Sequence, residues 1–191
     1  MSSVHRFAVL GTTLELLQGD VTKQDTDAIG NAANALLVGG GGVDGAIHRA
    51  AGPRLMDALR AIKKTLPGGA LRTGGAVITP GFDLRAKHVV HCVGPIHARE
   101  GNEAPELLAS CSREALRLVR EASLSSIAFP SVSTGVYGYP VRDAARVAVG
   151  AVATELREFK TPSLVRFCLF DAATLDAYVD AAIEHSLEKL A

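Results

Sequence analysis

Net charge is what this chain most plainly lacks: 20 Lys+Arg stand against 20 Asp+Glu in 191 residues. No global field draws such a protein to nucleic acid or to an acidic membrane, so an anionic ligand is better held by oriented backbone amides than by a lysine cluster. Aromatic residues are scarce at 5%, which argues further against a nucleic-acid groove built on base stacking. The three cysteines, Cys92, Cys111 and Cys168, are odd in number and form no C-x-x-C pair. Two of them sit in apolar runs and read as small core residues, and the set suits a reducing compartment rather than a disulfide framework. The amino terminus has no basic segment followed by an apolar stretch, and no apolar run is long enough to span a bilayer. A cytoplasmic protein without a membrane partner is the expectation.

What is present fits one globular domain over residues 1–191, with 48% hydrophobic and 21% charged residues. Short β-rich runs alternate with longer helical ones. Arg6–Leu10 and Thr13–Leu17 read as a hairpin around Gly11-Thr12, followed by a strand at Asp27–Asn31. Gly75–Thr79, His88–Val93, Ser126–Phe129 and Leu164–Phe170 supply further strands. Asp44–Ala51, Pro53–Thr65, Glu103–Ala122, Val141–Phe159 and Ala172–Leu187 read as helices, the last capped by Asp171. The charged turn Arg99–Glu103 reads as a solvated loop. This alternation predicts a three-layer α/β/α sandwich, and the opening hairpin makes its central sheet mixed.

Two loops stand out. The first, Asn31–Asp44, holds four consecutive glycines, Gly39–Gly42, ahead of a helix expected to start near Asp44. Glycine runs are poor strand and helix material but let backbone N–H groups turn inward around an anion, and a helix N-terminus adds partial positive charge. The second, Pro130–Pro140, carries Ser133-Thr134-Gly135-Val136-Tyr137-Gly138. Both follow predicted strands, so they can share the crevice beyond the strands' carboxyl ends. Together they outline a diphosphate clamp, with Tyr137 offering a face to a sugar.

Single residues carry double readings. Asp20, in Gly19-Asp20-Val21-Thr22, either caps a helical turn or accepts a hydrogen bond from an exocyclic amine. Asp44 and His48 lie four apart and share a helix face; the pair either tunes a reactive carboxylate or merely caps and packs. His88, His91 and Cys92 do not make a metal site, because positions 88 and 91 of a strand face opposite sides. The glycine run is neither a Walker loop nor G-x-G-x-x-G, and no G-x-S-x-G elbow is present.

Taken in order, Gly19-Asp20-Val21-Thr22, Asn31-Ala32-Ala33-Asn34, Gly40-Gly41-Gly42-Val43-Asp44-Gly45-Ala46-Ile47-His48 and Ser133–Pro140 resemble the macrodomain family, specifically its MacroD-type branch. The resemblance spans nearly the whole chain. It implies an ADP-ribose site in which Asp20 receives the adenine amine and the Val21 N–H helps hold the base. Gly41, Gly42 and Val43 would line one side of the diphosphate, and Ser133, Thr134, Gly135, Val136 and Tyr137 would wrap the other side and the distal ribose. Phe170 resembles the aromatic beside the adenine, although a terminal-strand Phe is commonly core. Asn31 joins the binding set. Asn34, Asp44 and His48 would form the catalytic set, Asn34 on the ribose hydroxyls and Asp44 near the reacting carbon.

The implied activity is hydrolysis of O-acetyl-ADP-ribose and of mono-ADP-ribosyl esters on acidic side chains of proteins, with no metal or cofactor. Either Asp44 or a substrate phosphate activates the water. A reader module that binds ADP-ribose without turnover is the alternative, and Asp44 speaks against it. One position departs from the family pattern: Gly30 stands where Val or Ile usually precedes the first Asn, which alters packing beside the site without removing a chemical group.

Overall fold

A computed structural model describes residues 4–190. The chain opens with β1 (Val4–Val9) and β2 (Thr12–Gln18), passes a 3-10 turn at Val21–Lys23, and enters β3 (Ala28–Ala32). Helices α1 (Gly42–Ala51) and α2 (Arg54–Lys63) lead to β4 (Ala76–Pro80) and β5 (His88–Cys92). Then follow α3 (His97–Glu100), α4 (Ala104–Glu121), β6 (Ser126–Phe129), α5 (Val141–Phe159), β7 (Leu164–Leu169), α6 (Ala172–Glu184) and β8 (Glu188–Lys189).

The strands form one sheet in the order β4-β5-β3-β6-β7-β2-β1-β8. Its centre, β5-β3-β6-β7-β2, is parallel, while β4, β1 and β8 pair antiparallel at the edges. The expected mixed α/β/α sandwich is the observed one.

Strand alternation feeds two cores. Ala28, Val90 and Ile127 face α4, α5 and α6, where Leu116, Val152 and Tyr178 are buried. Their chain neighbours Ile29, Val89 and Ala128 face α1 and α2, against Ile47, Ala51, Leu55 and Leu59. Side chains of a strand point to opposite faces in turn, so near-continuous apolar strands demand helices on both sides. Each fully buried leucine, such as Leu55 or Leu116, contributes about 1.5–3 kcal/mol.

Three boundaries differ from the sequence reading. Helix α1 starts at Gly42, so Asp44 lies inside its first turn and makes no capping bond. Arg99–Glu103 is not an open loop: α3 and a 3-10 turn over Gly101–Glu103 occupy it. The His97 ring stacks on Tyr139 at 4.6 Å and the His97 backbone N–H donates to the Tyr137 carbonyl, which holds that turn against the second loop. Helix α6 stops at Glu184; Ser186 has φ +54° and Leu187 is buried, turning the chain into edge strand β8 beside β1.

Gly30 also acquires a reason. A Cβ there would lie 2.6 Å from Phe129 Cδ1, so the Phe129 ring occupies the space a larger residue would fill, and close packing leaves no room for both.

Candidate active site

The carboxyl ends of β3, β6, β7 and β2, four adjacent strands, open into a cleft of about 1100 Å³. Ligands collect at this end of open α/β sheets because the strand-to-helix loops converge there. Eleven of the sequence-predicted residues line it: Asp20, Val21, Gly41, Gly42, Val43, Ser133, Thr134, Gly135, Val136, Tyr137 and Phe170.

At one end of the cleft, β2 runs out into Asp20. Its carboxylate accepts from the Thr22 N–H at 2.9 Å and the Thr22 hydroxyl at 2.6 Å. These bonds, the hydroxyl foremost, hold the Asp20 carboxyl below its ordinary range. The residue therefore caps the Val21–Lys23 turn and borders the cleft at once. Phe170, just past β7, is 89% exposed, so it is no core residue; an apolar ring left in water at a cleft mouth offers a stacking face. Asp171 caps α6 through Thr174 N–H at 2.8 Å, as expected.

The middle of the cleft is backbone. Gly41 is the N-cap of α1 and Gly42, its first residue, has φ +55°, a left-handed conformation that side chains strain to adopt. Both turn toward the cleft at the positive end of a ten-residue helix. Gly45 keeps this loop close to the helix: a Cβ there would sit 2.5 Å from the Gly40 carbonyl oxygen.

The facing wall, Ser131–Tyr137, is braced from below. Buried Tyr178 donates to Ser131 Oγ at 3.0 Å, and Thr134 Oγ1 donates to the same atom at 2.9 Å. Burial pushes the Tyr178 phenol up to about 12. Ser133 holds φ +67° with its hydroxyl buried and unpartnered among the described residues. Strain of this kind is retained where a loop must present its amides in one arrangement. Val136, at the loop tip, is fully exposed.

Asn31, Asn34, Asp44 and His48 stand apart from that wall, behind the glycine loop. Asp44 is only 5% exposed. Its Oδ1 accepts from Asn31 Nδ2 at 2.7 Å, and His48 Nε2 lies 3.4 Å away. Its Oδ2 is turned toward Gly40, where a Cβ would lie 3.2 Å from it. A buried carboxylate is costly without such a donor. Asn34, half-buried, spends its amide on the loop itself, donating to the Gly39 carbonyl at 2.8 Å.

Sequence reasoning passed over two features. Arg49 lines the cleft with Gly42 and Ala46; its place on their helical face was the available signal. His91, considered only as a metal ligand, lies buried and directly behind Asn31. No group of three His, Cys, Asp or Glu side chains suited to a metal ion occurs among the described residues, and no described helix is long and apolar enough to cross a membrane.

A sandwich with a cleft framed by a glycine loop and a strained serine loop defines an α/β module of the macrodomain type. The model of the Macro domain family matches residues 30–148, and the chain belongs to that family. A macro domain-containing protein of Xanthomonas axonopodis is 48% identical over 168 residues, covering 88% of this chain and 94% of the relative. A Salmonella typhimurium protein named O-acetyl-ADP-ribose deacetylase is 48% identical over 165 residues, covering 86% of this chain and 91% of its own. Among solved structures, the Oceanobacillus iheyensis macrodomain with ADP superposes with a TM-score of 0.94 at 43% identity, covering 97% of this chain and 98% of that one. The Trypanosoma brucei macrodomain in complex with ADP-ribose does so at 0.78 and 39%, covering 88% and 68%.

Proposed function

We propose that the protein binds ADP-ribose in this cleft and hydrolyses its acyl esters: O-acetyl-ADP-ribose, and mono-ADP-ribose esterified to Asp or Glu side chains of proteins. In this reading Asp20 accepts the adenine amine, the Val21 N–H meets the ring, and Phe170 covers the base. The diphosphate lies across the N-terminus of α1, taking hydrogen bonds from Gly41, Gly42 and Val43 on one side and from residues 133–137 on the other. Amides already turned inward cost little reorganisation when the charge arrives. The distal ribose then points toward Asn34 and Asp44.

The observation that carries the catalytic part is Asp44 itself: a buried carboxylate in the first helical turn, one oxygen fixed by Asn31 and the other turned toward the glycine loop. Binding a dianionic ligand does not call for a carboxylate there. As general base, Asp44 takes a proton from water while the water oxygen bonds to the ester carbonyl carbon. The acyl carbon–oxygen bond then breaks, and the proton passes to the departing ribose oxygen, giving ADP-ribose and a carboxylic acid. Base assistance of this kind is worth about 10²–10⁴-fold.

The test is incubation with O-acetyl-ADP-ribose in ¹⁸O-water. Free ADP-ribose with label in acetate is the expected result. Unlabelled acetate instead moves the attack to the ribose carbon that bears the ester. Tight binding without product favours the second reading, a non-catalytic reader. One observation favours that reader: Asn34, Asp44 and His48 are not on the wall of the cleft.

A further inference from the structure

Behind Asp44 runs a chain of buried side chains from three strands and a helix. Asp44 Oδ1 on α1 meets Asn31 Nδ2 of β3 at 2.7 Å; the same Nδ2 lies 3.0 Å from His91 Nδ1 of β5; His91 Nε2 lies 3.0 Å from Thr79 Oγ1 of β4. His91 is fully buried, Asn31 1% and Thr79 2% exposed. Neither the clamp nor the water-activating carboxylate explains a histidine sunk in the sheet at this point.

Hydrogen-bond chemistry orders the chain. The Asp44 carboxylate oxygen only accepts, so Asn31 must present its amide nitrogen, which only donates. The second hydrogen of that NH₂ group goes to His91 Nδ1, which must therefore carry none. The His91 proton is then on Nε2, where it is donated to the Thr79 hydroxyl. In the other tautomer a proton on Nδ1 would favour the Asn31 carbonyl in that place, and the flipped amide would set oxygen against the Asp44 carboxylate. The amide oxygen, Asn31 Oδ1, is buried without a partner among the described residues, so nothing on its far side resists the flip. Burial, with the nearby His48 second, lowers the His91 pKa to about 3. Burial therefore favours the neutral ring.

We propose that His91 is a positioning residue: as the Nε2–H tautomer it locks the Asn31 amide with its NH₂ toward Asp44, and so fixes the carboxylate that activates water. The inference rests on the catalytic reading of Asp44, but its geometric half is independent of turnover. Three measurements bear on it. Long-range ¹H–¹⁵N spectra of the intact protein should show His91 neutral and protonated on Nε2 down to about pH 5; a proton on Nδ1 overturns the proposal, and no variant is needed to see it.

Second, His91→Leu should lower kcat about tenfold to 10²-fold, the range a small misplacement produces, with ADP-ribose affinity unchanged by calorimetry. His91→Asn, which restores an acceptor for Asn31, should recover part of that loss. A wild-type kcat in a folded His91→Leu protein overturns the proposal, as does an equal loss in kcat and affinity. Third, His91→Leu combined with Asn31→Ala should be no slower than Asn31→Ala alone, since the two act through one bond; additive losses overturn it. Turnover that survives Asp44→Asn defeats the catalytic reading instead, and leaves the tautomer result standing.

Discussion

The two parts of this site are built from opposite materials. The clamp is exposed backbone: Gly41, Gly42 and Gly135 face the solvent, and its rings and loop tip, Phe170 and Val136, lie open. The corner at Asp44 is buried side chain, with Asn31, His91 and Thr79 each almost without solvent contact. Backbone amides suit a ligand that must arrive and leave, because they bind charge without a long side chain to order. A buried network suits a carboxylate that must hold one angle, since every member is fixed by its neighbours. Changes in the clamp should therefore alter affinity, and changes in the corner should alter rate and stability.

The strongest way to break this division is Asn31→Ala. It leaves the Asp44 carboxylate buried without its donor, which costs about 1–3 kcal/mol of stability; thermal unfolding should show the loss, and turnover should fall by more than tenfold as Asp44 shifts. ADP-ribose affinity should stay near wild type. An effect confined to affinity would erase the distinction.

Gly45→Ala comes next, because Gly45 joins the two parts. Its new Cβ would press on the Gly40 carbonyl oxygen, 2.5 Å away, and overpacking of this kind costs about 1–3 kcal/mol. Calorimetry should show weaker ADP-ribose binding together with a lower Tm. Phe170→Ala should lower affinity alone: base–aromatic stacking is worth about 1–3 kcal/mol, and a side chain 89% exposed has little folding energy to lose. A fall in Tm of several degrees would place Phe170 in the core after all.

The smallest effect concerns pH. Thr22 holds the Asp20 carboxyl below its ordinary range. A carboxyl depressed on folding contributes stability above its unfolded pKa and loses it as pH falls through the lower, folded value. ADP-ribose titrations should thus hold their affinity through mild acid and weaken only below the usual aspartate range. Thr22→Val removes the hydroxyl bond, so the loss should begin at higher pH; an unchanged profile would mean that Asp20 does not meet the base as an anion.

How far the sequence foretold this follows from the range of each signal. The short buried runs of β3, β5 and β6 and the helical spacing in α4 are local patterns, and they specify the layered fold directly. The convergence of the two loops on one cleft was legible for the same reason, since each loop is one continuous string between a strand and a helix. Phe170 was ambiguous because a strand-end aromatic looks alike whether it faces the core or the solvent. The short elements α3 and β8 were missed because each is held by a distant partner, Tyr139 and β1 respectively. The chain behind Asp44 joins positions 31, 44, 79 and 91 from four elements, and no local spacing reports such a meeting. The helix start was misplaced by two residues because Gly41, rather than Asp44, is the cap.

Holding the ligand and turning it over should be separable in this protein, with Asp44 on the turnover side. The most direct test is Asp44→Ala, measured in one preparation for ADP-ribose affinity and for acetate release from O-acetyl-ADP-ribose. Affinity should stay at or above that of the wild type, with release slowed by about 10²–10⁴-fold. Release at the wild-type rate, or a loss of affinity as large as the loss of rate, would contradict it.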